Sequence, residues 1–113
     1  MRLRTTVGTG LGAVALALAL AAPAAAATGT FSYVYDSPAG PRIGVLHDPP
    51  SRQCVTLPEA AAPWTPPAHT PRNRTDATAV VFTGPDCTGD HFSMRPHTGY
   101  GTERLKVRSV VFS

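Results

Sequence analysis

Catalytic signatures are missing from this sequence. No HExxH, no nucleophile elbow and no CxxC pair frames its histidines, serines or cysteines, so zinc-peptidase, serine-hydrolase and thiol-redox chemistry have no sequence support, and an enzyme is not expected. Cysteine is scarce, with two residues, and tryptophan occurs once. Only 15% of residues are charged, and the basic ones are scattered singly. A tract able to displace counterions from nucleic acid is therefore absent, and no nucleic-acid partner is expected. Beyond the N-terminal segment, no apolar run keeps helical spacing over three turns, which argues against a helical domain.

What is present begins with that segment. Arg2 and Arg4 precede an uncharged run with an apolar centre from Leu11 to Ala22, which ends in small residues of the A-x-A kind at Ala25 and Ala27. This three-part pattern is that of a secretory signal over residues 1–27, cut before Thr28. Export places residues 28–113 outside the cell as one small domain with no membrane attachment after removal of the signal. The cut also lowers Lys plus Arg from 10 to 8 against 7 acids, so the basic pI does not describe the mature chain. In an exported protein an even pair of cysteines reads as a disulfide, here Cys54 with Cys87. Closing that loop stabilises the fold by about 3–4 kcal/mol in the chain-entropy description.

The apolar pattern has the period of strands. "TFSYVY" alternates Phe31, Tyr33 and Tyr35 with Ser32 and Val34. "RIGVLH", "QCVTL", "TAVVF", "DHFSM" and "LKVRSVVF" follow as short β-type runs between Gly, Pro, Asp and Asn punctuation, so the expected class is all-β. "PEAAAPWTPPAHTP" from Pro58 to Pro71 repeats a residue that lacks a backbone donor, and it reads as a surface loop of polyproline character rather than a central strand. Trp64 sits in its middle and has two readings: a lid folded over the core, or an exposed contact residue. "NRT" at Asn73 fits a glycosylation sequon, but Asn73 and Asp76 read more simply as turn formers at the loop exit.

The mature chain also echoes itself. Tyr33, Val34 and Tyr35 align with Val80, Val81 and Phe82, Pro38 with Pro85, and Pro49 with Pro96. Each copy runs strand, Pro-containing turn, second strand and Pro-terminated exit, as expected of two related β units.

The second copy, "FTGPDCTGDHFSM" followed by "PHTGYG" and "VRSVVF", resembles the Greek-key motif of βγ-crystallins. The resemblance implies that Phe82 leads a folded hairpin, that Gly89 closes it with φ > 0, and that Ser109 belongs to the final strand. Cys87 stands where an aromatic is usual. The first copy departs further, with Arg42 in the place of the closing glycine. The implied fold is a βγ-crystallin-like Greek-key sandwich of two related motifs with one disulfide. In size and export the chain is similar to secreted actinobacterial metallopeptidase inhibitors of family I36 and to killer-toxin-like proteins.

The acidic pair that the crystallin calcium signature requires is missing from "RTDATA" and "RLKVRS", so no metal and no cofactor is expected. His91 and His97 with Asp86 and Asp90 are the weak remaining metal constellation. The function that fits is a secreted, monomeric binding module whose partner is an extracellular peptidase that it inhibits; the alternative is a structural or stress-related extracellular protein. The candidate contact residues are Trp64 and His69 on the Pro-rich loop and Tyr100 in "TGYGTER".

Overall fold

In the computed structural model, which describes residues 25–113, the alternating runs become strands. They are β1 (Gly29–Ser37), β2 (Gly40–His47), β3 (Val55–Thr56), β4 (His69–Thr75), β5 (Ala79–Phe82), β6 (His91–Met94), β7 (Gly99–Tyr100) and β8 (Ser109–Phe112). Two short 3₁₀ turns, Pro58–Ala60 and Pro85–Cys87, complete the set, and no α-helix occurs among the described residues. The all-β class is as expected. Residues 1–24, which carry most of the expected signal, lie outside the described residues.

The strands form two antiparallel sheets in the orders β2-β1-β4-β7 and β3-β8-β5-β6. The chain halves are related by this topology. Each half keeps its first, second and fourth strands in one sheet and lends its third to the other. The register defines the correspondence: Phe31 pairs with Asn73 and Asn73 with Gly99, as Val81 pairs with Val110 and Val110 with Val55. Phe31, not Val34, is thus the counterpart of Val81, which corrects the alignment read from the sequence. The sequence similarity was misled because β1–β2 is a long regular hairpin, whereas β5 and β6 are joined by the tight turn at Pro85–Cys87.

Inward positions of both sheets build the core. Phe31, Leu57, Val81, Met94, Val107, Val110 and Phe112 are essentially inaccessible. Phe31 and Phe112 meet from opposite sheets edge to face, with ring centroids 5.4 Å apart, a favoured aromatic geometry. Cys54 and Cys87 form the expected disulfide. Ala27 is also buried, its N–H donating to Pro49 O at 2.9 Å, while Ser51 N–H donates to Ala25 O. The residues just before the expected cut therefore pack into the sandwich.

The Pro-rich segment differs from expectation at its end. His69–Pro71 belong to β4, which lies between β1 and β7. Pro71 is accommodated by a bulge: Ser32 pairs with Arg72 and Val34 with His69, leaving Thr70 and Pro71 opposite Tyr33. Thr70 takes the left-handed conformation there, with φ 52°. An unpaired bulge position is where a residue without N–H fits inside a sheet. Pro71 still accepts a hydrogen bond from Gly101 N–H at 2.9 Å.

Candidate functional site

The loop from Pro58 to Pro67 is held in place by other parts of the chain. Arg108, just before β8, extends its guanidinium beneath it. Nη1 donates to Ala60 O at 3.0 Å and Ala62 O at 2.9 Å, and Nη2 donates to Thr65 O at 2.9 Å. A guanidinium suits this task because its planar fork presents several donors in fixed directions. Thr65 closes a local turn, its N–H and Oγ1 both donating to Ala62 O. At the start of the loop, the Tyr33 hydroxyl donates to Glu59 Oε1 at 2.7 Å. Burial, and then the Glu59 carboxylate beside it, push the Tyr33 phenol far above the ordinary tyrosine range.

Trp64 stands at the crest of this loop and is 84% exposed, the most exposed large apolar side chain described. The lid reading is therefore excluded. Arg108 and the turn at Ala62–Thr65 hold the loop backbone, and its buried apolar side chains are Leu57, Ala60 and Ala68 instead. Sequence reading passed over Arg108 as a dispersed surface charge. A signal was available in its setting, since an arginine beside an apolar strand and a loop rich in carbonyls without matching N–H donors is a natural cross-link.

The other two candidates lie elsewhere. His69 is partly buried in β4, with Nδ1 hydrogen-bonded to Thr70 Oγ1 at 2.8 Å and Nε2 3.9 Å from the Asp36 carboxylate. Tyr100, on β7, is 66% exposed and stands directly opposite Arg72. Trp64 and His69 line neither of the two surface concavities that Tyr100 borders, so the three side chains are not gathered into one site. His91, His97, Asp86 and Asp90 likewise form no metal-binding cluster among the described residues.

The second half has its own ties. Gly89 has φ 84°, and a Cβ there would press on Thr83 Oγ1. Ser109, fully buried, donates from Oγ to Gly84 O at 2.6 Å and accepts from Cys87 N–H at 2.8 Å. Gly89 thus shapes the β5–β6 connection, and Ser109, on β8, ties that connection to the last strand. In the first half Asn73 does comparable work. Buried completely, its Nδ2 donates to Ala77 O at 2.8 Å and Arg95 O at 2.9 Å, while its Oδ1 accepts from Thr75 Oγ1 at 2.6 Å. The folded protein thus offers no glycan acceptor at the sequon, and Asn73 bridges the turn after β4 to the segment after β6. Asp76 does not close a local turn with its side chain: Oδ1 accepts the Thr28 N–H at 2.8 Å and so joins the segment after β4 to the start of β1.

Comparison of the chain with protein-family models, with curated proteins and with solved structures found no match. No helix among the described residues is long and apolar enough to cross a membrane.

Proposed function

We propose that this protein is an exported βγ-crystallin-like Greek-key sandwich that acts as a binding module, with the Trp64 loop as the contact element and an extracellular peptidase as the partner it inhibits. The fold assignment is supported by the exchange of third strands between the halves and by Gly89 and Ser109 at the folded hairpin. The observation that carries the functional reading is the pairing of an indole 84% exposed with a loop whose backbone is held by three hydrogen bonds from Arg108. An exposed tryptophan gains by burial against a partner, and a loop already ordered loses little conformational freedom on binding. Pro63, Pro66 and Pro67 restrict it further. His69 then belongs to the support of the loop rather than to its contact surface.

The test is inhibition of a panel of secreted metallo- and serine peptidases by the oxidised protein, alongside Trp64→Ala. Stoichiometric inhibition of one class, weakened by more than ~1 kcal/mol in the variant, is expected. Absence of inhibition at micromolar concentration across both classes would leave the structural or stress-related role as the working alternative.

A further inference from the structure

On the outer face of the β2-β1-β4-β7 sheet, Arg72 and Arg74 project from the same side of β4, because alternate residues of a strand share a face roughly 7 Å apart. The strand register sets Tyr100 beside Arg72. A surface concavity of about 320 Å³ is lined by Arg72, Arg74, His97, Thr98, Gly99 and Tyr100. Neither arginine takes part in an ion pair; the one acid–base contact among the described residues joins His69 to Asp36. Two guanidinium groups therefore share a hollow without a carboxylate.

The wall of the hollow is rigid. His97 adopts φ 67°, its N–H donating to Thr75 O at 2.8 Å, and Gly99 N–H donates to Arg95 O at 3.1 Å. Asn73 holds Arg95 O from below. A side chain on Gly99 would collide with the Arg95 backbone. The chain thus keeps a strained residue and a bare glycine to shape this corner. On the other side of Tyr100 a second groove of about 410 Å³ is lined by Phe92, Met94, Arg95 and Tyr100, with Phe92 half exposed.

We propose that the Arg72–Arg74–His97 hollow binds a phosphate group, with the organic part of a phosphate monoester resting on Tyr100 and the groove beyond it. The donor count favours this ligand. One guanidinium fork satisfies both oxygens of a carboxylate, whereas two forks with an imidazole and a phenol match the larger set of oxygens on a tetrahedral oxyanion. Beyond Tyr100 the groove presents Phe92 and Met94 with Arg95 at its wall, so the charged and organic parts of a monoester fall on adjoining surfaces. The inference is independent of peptidase inhibition.

The experiment is an NMR titration of the oxidised protein with inorganic phosphate and, separately, with phenyl phosphate, at constant ionic strength set by sodium chloride. Saturable shifts at the Arg72, Arg74 and His97 amides are expected with inorganic phosphate. Arg72→Gln or Arg74→Gln should weaken binding about tenfold or more. Arg104→Gln, which removes the same charge elsewhere, should leave it unchanged. Tighter binding of phenyl phosphate, abolished by Tyr100→Ala, identifies an ester as the ligand; equal affinity of the two probes supports the oxyanion site but overturns the ester. Shifts that do not saturate, or an equal loss in Arg104→Gln, overturn the site itself.

Discussion

The Tyr33 hydroxyl, carried on the second strand of one sheet, donates at 2.7 Å to the carboxylate of Glu59 at the foot of the Trp64 loop. The bond joins the sheet core to the loop, and it makes the strength of that joint depend on a proton. The folded state raises the phenol pKa above its unfolded value near 10. Stability from this group is therefore complete below about pH 10 and is lost as pH rises beyond it, at up to about 1.4 kcal/mol per pH unit. Denaturant unfolding across that range should show a steeper alkaline loss for the native protein than for Tyr33→Phe, which has no proton to release.

Replacement of Arg108 by Gln should release the loop. Three carbonyl acceptors lose a charged donor, a cost of about 2 kcal/mol for a partly buried group. Fluorescence anisotropy of Trp64, the single tryptophan, should fall, while the two sheets keep their amide protection.

Trp64→Ala should leave stability within about 0.5 kcal/mol, as for other exposed positions away from packed contacts. A buried indole would cost about 3–5 kcal/mol on truncation. Thermal melts of the two proteins separate these cases without any ligand.

Asn73→Asp should destabilise by about 3 kcal/mol or more, because a buried carboxylate would face the Ala77 and Arg95 carbonyls that the amide now serves. The loss should be read by chemical denaturation, and amide exchange in residues 95–99 should accelerate with it.

A chain beginning at Ala25 should be more stable than one beginning at Thr28. The longer form retains the buried Ala27 methyl and the hydrogen bonds from Ala27 to Pro49 and from Ser51 to Ala25, together about 1–2 kcal/mol. Calorimetry of the two forms measures the difference, and N-terminal sequencing of the natural product tests the expected cut before Thr28.

Most strands were legible in the sequence: β3, β5, β6 and β8 fall within the apolar runs quoted for them, and β1 and β2 contain theirs and run two or three residues beyond. Strand β4 was not, because its inward positions are Pro71, Asn73 and Thr75, polar or breaker residues that earn burial only through partners elsewhere in the chain. Strand β7, two residues including Gly99, is too short to carry a period. The disulfide followed from an even pair of cysteines read together with the expected export. Trp64 was found as a candidate but not placed, since its exposure depends on Arg108, far away in sequence. The Arg72–Arg74 hollow was hidden for the same reason, because Tyr100 and His97 reach it only through the pairing of β7 with β4.

Cys54 and Cys87 lie on either side of the Trp64 loop in the chain, one in each half of the molecule. A peptide bond broken anywhere between them leaves both pieces covalently joined, with the first piece still holding its β1–β2 hairpin and the second its β8. An attacking peptidase that clipped the crest at Trp64 would therefore release no fragment. The cut protein would remain one covalent molecule until the bridge is reduced.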